Sequence, residues 1–212
     1  MNKKLLVIAA THKELAPTFD HFGFQHELFV QHPQFDILIS GVGMTATAFA
    51  LGKHLNSNYY LVLNVGIAGS FDQKIALGSL VNITEDVFAE LGAENGDDFI
   101  SIDELGFGKS TYFSNNSTVN LMVDDLPKVK GITVNKVHGN AKNITAILKR
   151  SAAQTESMEG AAVFYASAHA NIPAIQIRSI SNYVKPRNKN NWKINLAIQN
   201  LNNWLIAYLN KH

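Results

Sequence analysis

Two segments decide the fold of this chain, residues 157–162 (SMEGAA) and residues 175–182 (IQIRSISN). The first is typical of a helix that opens with the carboxylate of Glu159, and the second of a buried strand with a polar end from Arg178 to Asn182. Ligands of open α/β sheets bind at the carboxyl ends of the strands. We therefore expect Glu159 and Asn182 to project into one pocket, although a capped helix followed by a core strand would show the same pattern.

Length and composition indicate an ordinary globular enzyme. The chain has 212 residues, which suits one domain spanning 1–212 with a full hydrophobic core. Hydrophobic residues make up 46% and charged residues 17%, and the net charge of +1 gives no reason to expect a nucleic acid or an anionic membrane as partner. There is no cysteine, so disulfides, thiolate catalysis and cysteine-zinc sites are excluded.

The start of the chain is expected to form a buried strand and not a secretion signal. The apolar run at residues 5–10 is short, and His12, Lys13 and Glu14 follow it at once. No apolar run approaches the roughly 20 residues of a membrane span. The expected location is therefore the cytoplasm.

Apolar runs alternate with helical patterns along the whole chain. Strands are predicted at residues 4–10, 24–30, 35–40, 59–65, 80–88, 132–137 and 173–181, and helices at residues 12–22, 45–55, 144–149, 159–170 and 192–210. Residues 92–118 are rich in Gly, Asp, Ser and Asn, which predicts a long loop or lid. This order predicts an α/β fold, a single domain with a mixed central β-sheet flanked by helices.

Two glycine-containing segments follow predicted strands. Residues 40–43 (SGVG) open a helix, and residues 65–71 (VGIAGSF) end the next strand. Glycines there let backbone N–H groups approach an anion or a sugar, although a tight strand-to-helix turn would need them equally. The first segment lacks the third glycine of a dinucleotide motif, and residues 44–71 contain no Asp or Glu. A nicotinamide site is therefore not expected.

Glu14 is the candidate base, because it follows the first strand at the expected ligand edge. A solvated carboxylate in the first turn of a helix would occupy the same position. The eight histidines show no ligand spacing, so no metal site is expected. There is no G-x-S-x-G elbow, so an α/β-hydrolase is not supported.

Taken in order, these segments resemble the purine nucleoside phosphorylase and methylthioadenosine nucleosidase superfamily. The likeness spans nearly the whole chain and rests chiefly on Met158, Glu159 and residues 178–182 (RSISN), while the glycine segments support it. Within the superfamily, residues 182–187 (NYVKPR), Trp192 and residues 86–94 (DVFAELGAE) are most similar to the futalosine hydrolase family. That family hydrolyses the N-glycosidic bond of futalosine and releases hypoxanthine, in menaquinone biosynthesis.

The resemblance implies an N-glycosyl hydrolase that binds a small-molecule nucleoside, needs no cofactor and forms a homo-oligomer, at least a dimer. It implies that Glu14 and Asn182 are catalytic, with Glu14 activating water. Phosphorylases of this fold hold phosphate with arginines near the early glycine segments, and this chain has no arginine before Arg150. Hydrolysis is therefore expected. The implied substrate-binding residues are Ser40, Gly41, Gly43, Gly66, Ala68, Gly69, Met158, Glu159 and Arg187.

The resemblance also implies how the nucleoside is bound. Adenine-releasing nucleosidases have Asp where this chain has Asn182, and an Asn amide can instead bond O6 and N7 of a 6-oxopurine. Glu159 matches the glutamate that accepts hydrogen bonds from the ribose hydroxyls, and Met158 the methionine on the ribose face. Asn182 also suits a strand-end turn, and Glu159 also suits the positive end of a helix dipole.

The chain departs from the superfamily pattern at two places. Many relatives have Glu-Met-Glu where this chain has Ser157 before Met158, and Glu156 is out of step, so one carboxylate at the sugar is expected to be missing. The segment from His138 to residue 141 offers no evident aromatic partner for the purine.

Two further questions stay open at this point. Arg187, with Lys185 and Lys189, is a candidate for the carboxylate on the 5′ tail of futalosine, although a basic run is usually a solvated face. The alternative functions are an inosine- or methylthioadenosine-type nucleosidase or phosphorylase, and a non-catalytic nucleoside-binding protein of the same fold.

Overall fold

The computed structural model describes residues 3–96, 98–115 and 121–211, in which strands and helices alternate. The strands are β1 (Lys4–Ala9), β2 (Phe29–Gln31), β3 (Phe35–Ile39), β4 (Tyr59–Ser70), β5 (Leu80–Phe88), β6 (Gly92–Asn95), β7 (Asp98–Ser101), β8 (Thr111–Phe113), β9 (Lys128–Thr133), β10 (Thr155–Ser157) and β11 (Ala174–Tyr183). The helices are α1 (His12–Phe22), α2 (Met44–His54), α3 (Leu121–Asp124), α4 (Ala141–Arg150), α5 (Gly160–His169) and α6 (Ile194–Leu209).

Nine of these strands form one mixed sheet in the order β10-β9-β5-β11-β4-β1-β3-β2, with β8 paired to β5. Strands β3, β1, β4 and β11 are parallel, whereas β5 runs antiparallel to β11 and β2 antiparallel to β3. Strand β10 pairs with β9 and also with the end of β4, so the sheet curls back on itself. The carboxyl ends of β1, β4 and β11 consequently meet at one edge.

Helices cover both faces of the sheet, and β1 shows why. Leu5 and Val7 belong to the core that includes residues of α1 and α6, whereas Leu6 and Ile8 belong to the core that includes residues of α2 and α5. Successive side chains of a strand point to opposite faces, so a strand that is apolar throughout must be covered on both. The predicted α/β fold is confirmed. Within the part of the chain that the structure describes, no helix is both long and apolar enough to cross a membrane.

Three predicted elements were wrong in extent or kind. The strand predicted at 24–30 is only β2, because the Phe24 ring stacks on Phe22 and packs against Phe35 instead of extending the sheet. Residues 92–118 are not one loop, since they contain the hairpin of β6 and β7 and the edge strand β8; residues 116–118 lie outside the described residues. The strand predicted at 132–137 is β9, which ends at Thr133.

The second glycine segment is strand and not loop. Strand β4 continues to Ser70 and stays paired with β11, so that Gly66 lies opposite Arg178 and Gly69 opposite Asn182. A Cβ atom on Gly66 would lie 2.2 Å from Nη1 of Arg178. Glycine is required there because another side chain approaches the backbone, and not because the chain turns.

Candidate active site

A cavity of about 370 Å³ opens at the carboxyl ends of β1, β4 and β11. It is the position where parallel α/β sheets bind ligands. The predicted site residues that line it are Glu14, Ala68, Gly69, Met158, Glu159, Asn182 and Arg187. The four others, Ser40, Gly41, Gly43 and Gly66, do not line it.

The first glycine segment acts on the cavity through Glu159. The backbone N–H of Gly43 donates to Oε1 of Glu159 at 3.0 Å, and Gly43 adopts φ +94°, which disfavours other residues. The Ser40 hydroxyl bonds within its own surroundings, donating to the carbonyl of Gly41 at 2.9 Å. The segment therefore fixes a carboxylate, and only Val42 of its residues lines the cavity.

Glu14 is a buried carboxylate at the start of α1. Its Oε2 accepts from the backbone and hydroxyl of Thr11 at 3.1 and 3.0 Å, completing a capping box, and its Oε1 accepts from the backbone of Ile67 at 3.1 Å. Burial raises the pKa of Glu14 above its ordinary value, and the Arg178 guanidinium is the main opposing influence. Capping and a catalytic role are thus compatible, because a fixed carboxylate with a raised pKa suits a general base.

Arg178 was named from the sequence only as the start of a polar strand end, and it was not among the predicted site residues. Its side chain is 1% exposed, its Nε donates to Oε1 of Gln176 at 2.9 Å, and its Nη2 lies 3.9 Å from Oε2 of Glu159. Among the described residues, Nη2 has no hydrogen-bond partner. Although no arginine lies early in the sequence, the fold therefore brings a guanidinium to Gly66 and Glu14. An arginine inside an apolar strand (IQIRSI) was the available signal.

Asn182 faces the cavity because β11 is irregular. The pairing of β11 with β4 shifts register between Ile180 and Asn182, so Ser181 and Asn182 both line the cavity. Neighbouring residues of a regular strand would point to opposite faces, and a bulge re-aims one of them. The Ser181 hydroxyl donates to Oδ1 of Asn182 at 2.8 Å, and Nδ2 of Asn182 donates to the carbonyl of Tyr183 at 3.3 Å. One N–H and one lone pair of the amide remain for a ligand.

His138 and Glu156 are a second addition to the predicted site. Both line the cavity, where the Glu156 carboxylate accepts the His138 backbone N–H at 2.9 Å and contacts Nδ1 of the imidazole. Burial raises the pKa of Glu156, while the bonds to His138 oppose that rise. Position 157 is Ser, so the carboxylate that many relatives have there is missing. Glu156, however, adds a carboxylate to the same cavity. The short strand β10 places it there, and no sequence pattern predicted that strand.

Met158, Arg187 and Trp192 also line the cavity. The Arg187 guanidinium lies 5.0 Å from the centre of the Trp192 ring, and its backbone N–H donates to the carbonyl of Gly139 at 3.0 Å. Of the three basic residues predicted for the tail, only Arg187 lines the cavity. The Lys185 ammonium donates to Gln73 instead, at 2.7 Å.

No cluster of three or more His, Asp or Glu suited to a metal ion occurs among residues 3–96, 98–115 and 121–211. The arrangement offers two carboxylates, one guanidinium, one amide and one histidine–glutamate pair around a cavity of nucleoside size. Such groups can activate water, bind hydroxyls and hold a polar heterocycle.

Comparisons with known proteins agree with this geometry. A family model described as "Phosphorylase superfamily" matches residues 7–210. The futalosine hydrolase of Streptomyces coelicolor is 32% identical over 172 residues, which cover 77% of this chain and 73% of that protein.

Two solved structures from Helicobacter pylori share the fold. One is a 5′-methylthioadenosine/S-adenosylhomocysteine nucleosidase, with a TM-score of 0.84 at 16% identity and full coverage of both chains. The other is a futalosine hydrolase, also with a TM-score of 0.84 at 16% identity, covering 99% of this chain and 98% of that one. At this identity the structures support the fold alone, whereas the sequence matches establish kinship. The chain therefore belongs to the phosphorylase superfamily and, within it, to the futalosine hydrolase family.

Proposed function

We propose that the chain hydrolyses the N-glycosidic bond of futalosine and releases hypoxanthine and dehypoxanthine futalosine, as one nucleosidase domain over residues 1–212. One observation carries the proposal. Glu14, Glu159 and Asn182 line one cavity, and both carboxylates interact with the buried Arg178 guanidinium, which does not itself line that cavity. The curated relatives named futalosine hydrolase support the substrate. This activity would place the chain in menaquinone biosynthesis.

Glu14 is the general base in this proposal. Its raised pKa lies nearer to neutral pH than that of an ordinary glutamate, and its three hydrogen bonds hold the carboxylate toward the cavity. The positive charge of the buried Arg178 favours the ionised form of Glu14, which is the form that can accept a proton. Glu14 accepts a proton from the attacking water as the oxygen of that water bonds to C1′ of the ribose. The bond between C1′ and the purine breaks in the same reaction, and the purine leaves with the bonding electrons.

Water is a better nucleophile than phosphate for this site. Phosphate binding in phosphorylases relies on arginines, and here a guanidinium does lie nearby. However, Arg178 stands between the carboxylates of Glu14 and Glu159, with Glu159 3.9 Å away. These carboxylates would repel a phosphate dianion, and a neutral water molecule avoids that repulsion.

The ribose is held by Glu159 and Met158. Oε1 of Glu159 is occupied by the N–H of Gly43, which leaves Oε2 for a ribose hydroxyl. Positive charge develops at C1′ as the bond breaks, so a carboxylate on the 2′-hydroxyl stabilises the transition state more than the ground state. Met158 supplies the apolar contact in the cavity wall.

The purine lies against Asn182, with His138 and Glu156 on the same cavity. The remaining N–H of the Asn182 amide can bond O6 or N7 of hypoxanthine, so negative charge on the departing base is stabilised without a carboxylic acid. The free N–H and lone pair of this amide could also pair with N7 and the 6-amino group of adenine, so the curated relatives, and not these hydrogen bonds, support futalosine as the substrate.

The 5′ tail is assigned to the part of the cavity near Arg187.

The active form is proposed to be at least a dimer. Val42 lines the cavity yet is 55% exposed, and Phe49 on α2 is 75% exposed. Exposed apolar side chains such as these are available for an interface with a second copy of the chain. Light scattering should give a dimer or larger species, and Phe49→Asp should lower its mass.

The test is to incubate the purified protein with futalosine, inosine and methylthioadenosine, with and without phosphate, and to quantify free base by chromatography. Hypoxanthine from futalosine without a need for phosphate is the expected result. Adenine release, or dependence on phosphate, would contradict the proposal. Glu14→Gln that binds futalosine without turnover separates catalysis from simple binding, and Arg187→Ala should raise the Michaelis constant for futalosine.

A further inference from the structure

Asp86 on β5 is a buried carboxylate that lies outside the cavity wall. Its side chain accepts the hydroxyl of Thr133 on Oδ1 and the amide of Gln176 on Oδ2, each at 2.8 Å. The residue is 1% exposed, and burial raises its pKa to about 6. A buried carboxylate that bonds only neutral groups costs free energy of folding, so its partners indicate what it does.

The first partner, Gln176, connects Asp86 to Arg178. Because Asp86 can only accept, Gln176 must turn its NH₂ group toward Asp86 and its oxygen toward Nε of Arg178. The Nε–H of Arg178 donates to that oxygen at 2.9 Å. Asp86 thus helps to fix the orientation of the amide, to which Asn64 also contributes by donating from Nδ2 to the same oxygen at 3.5 Å, and the amide in turn orients the guanidinium.

The second partner, Thr133, connects Asp86 to the start of the helix beside Glu159. The Thr133 hydroxyl, while donating to Asp86, accepts the backbone N–H of Ala161 at 2.8 Å. Ala161 lies in the first turn of α5, directly after Glu159 and Gly160. One carboxylate on β5 is therefore bonded, through a single intermediate on each side, to the guanidinium and to the helix start that presents Glu159.

Gly160 shows how closely this network approaches the site. A Cβ atom on Gly160 would lie 2.1 Å from both Oδ2 of Asp86 and Oε1 of Gln176. No other residue fits beside the pair without moving it. The backbone that follows Glu159 is therefore packed directly on the bond between Asp86 and Gln176.

We propose that Asp86 is a positioning residue for hydrolysis, which aligns Arg178 through Gln176 and Glu159 through Thr133. This inference rests on the proposed function. It adds a residue that touches neither water nor nucleoside, and it gives a reason for the buried charge. Both oxygens of a carboxylate accept hydrogen bonds, whereas an amide accepts on one side only. In Asp86→Asn, the NH₂ side of the amide must face either Gln176 or Thr133, so donor and acceptor are exchanged in one of the two connections.

Asp86→Asn tests the proposal. A displacement of about 1 Å at reacting groups costs up to about 100-fold in rate, so we expect kcat for futalosine to fall roughly 10- to 100-fold, with a smaller change in KM. The charged groups that face Glu14 are Arg178 and Glu159. If Arg178 withdraws, the pKa of Glu14 rises further, so the acid limb of the kcat/KM profile should move to higher pH.

Asp36→Asn is the matched control. Asp36 on β3 is also a buried carboxylate that accepts on both oxygens, from Lys4 at 3.0 Å and Tyr59 at 2.7 Å, and it does not line the cavity. It should lower stability without changing kcat or the pH profile. If Asp86→Asn does not fold, Gln176→Leu replaces it, because it removes the connection to Arg178 and keeps that to Thr133.

An assay independent of turnover is the Nε–H resonance of Arg178 in ¹H–¹⁵N spectra. The chain has three arginines, Arg150, Arg178 and Arg187, so single Lys substitutions assign it. We expect slow solvent exchange in the wild type and a shifted, faster-exchanging signal in Asp86→Asn. If a folded Asp86→Asn variant has the same kcat, pH profile and Arg178 resonance as the wild type, the inference is overturned. No turnover by the wild type would instead count against the proposed function, while the resonance still decides the role of Asp86.

Discussion

Gly66→Ala is the most direct test of the proposed site, because the added atom enters it. The new Cβ would lie 2.2 Å from Nη1 of Arg178 and 2.8 Å from Oε1 of Glu14, whereas ordinary contact begins at 3.4 Å. The guanidinium must therefore withdraw by about 1 Å, a displacement that costs roughly 100-fold in rate. Its Nε is bonded to Gln176, so it cannot rotate away freely.

The expected result is a fall of about 100-fold in kcat/KM for futalosine, equivalent to about 2.7 kcal/mol of transition-state stabilisation. Overpacking should also lower the free energy of unfolding by about 1–3 kcal/mol. Initial rates of hypoxanthine release and urea denaturation measure the two effects separately.

Gly52→Ala is the control for this experiment. Gly52 lies inside α2, and a Cβ atom there meets nothing within 4 Å. Alanine at such a position should leave kcat/KM unchanged and raise stability by about 0.5–1 kcal/mol. If Gly66→Ala retained wild-type kcat/KM, the position of the Arg178 guanidinium beside Gly66 would have no part in catalysis, and the reasoning would be refuted.

Four further outcomes are expected. Glu14→Gln should lower kcat at least about 100-fold, while calorimetry should show that futalosine still binds. In the wild type, kcat/KM should fall as pH drops through the raised pKa of Glu14, because the base must be ionised. Asn182→Asp should release adenine from methylthioadenosine and lose about 100-fold in hypoxanthine release, both followed by chromatography. Asn202→Ala should lower the free energy of unfolding by about 3 kcal/mol in urea, because its buried amide bonds Thr18 and the Glu14 carbonyl. Asp86 has a folded-state pKa of about 6 against an ordinary 3.8, so the stability present below pH 3.8 should decline as pH rises through 6, a decline that Asp86→Asn should lack.

Some site residues were predictable because the signal is local. Glu14 directly follows an apolar strand and begins a helix, and its capping partner Thr11 is three residues away. Asn182 is the next-to-last residue of β11, an apolar strand that pairs in parallel with β4, and ligands bind at the carboxyl ends of such strands. In both cases the informative neighbours lie within a few residues along the chain. The catalytic roles of these two residues stay predictions until the variants are measured.

Other contacts depend on pairing between distant segments. Strand β10 has three residues and no periodicity of its own, and it forms because it pairs with β9 and with the end of β4. That pairing places Glu156 on the cavity with His138, 18 residues away in sequence. A pattern of alternating side chains does not specify which strand a short segment joins.

By itself, the sequence determined the α/β fold, the order of its main elements and the family likeness, together with the location of the ligand edge. Periodic burial and strand-end chemistry are local properties, and they are expressed in consecutive residues. Only the tertiary structure decided that Arg178 lies at Gly66 between Glu14 and Glu159, and that Asp86 is bonded to the groups that hold them. Those contacts depend on strand register and side-chain packing across the sheet, which arise only when distant segments are buried together.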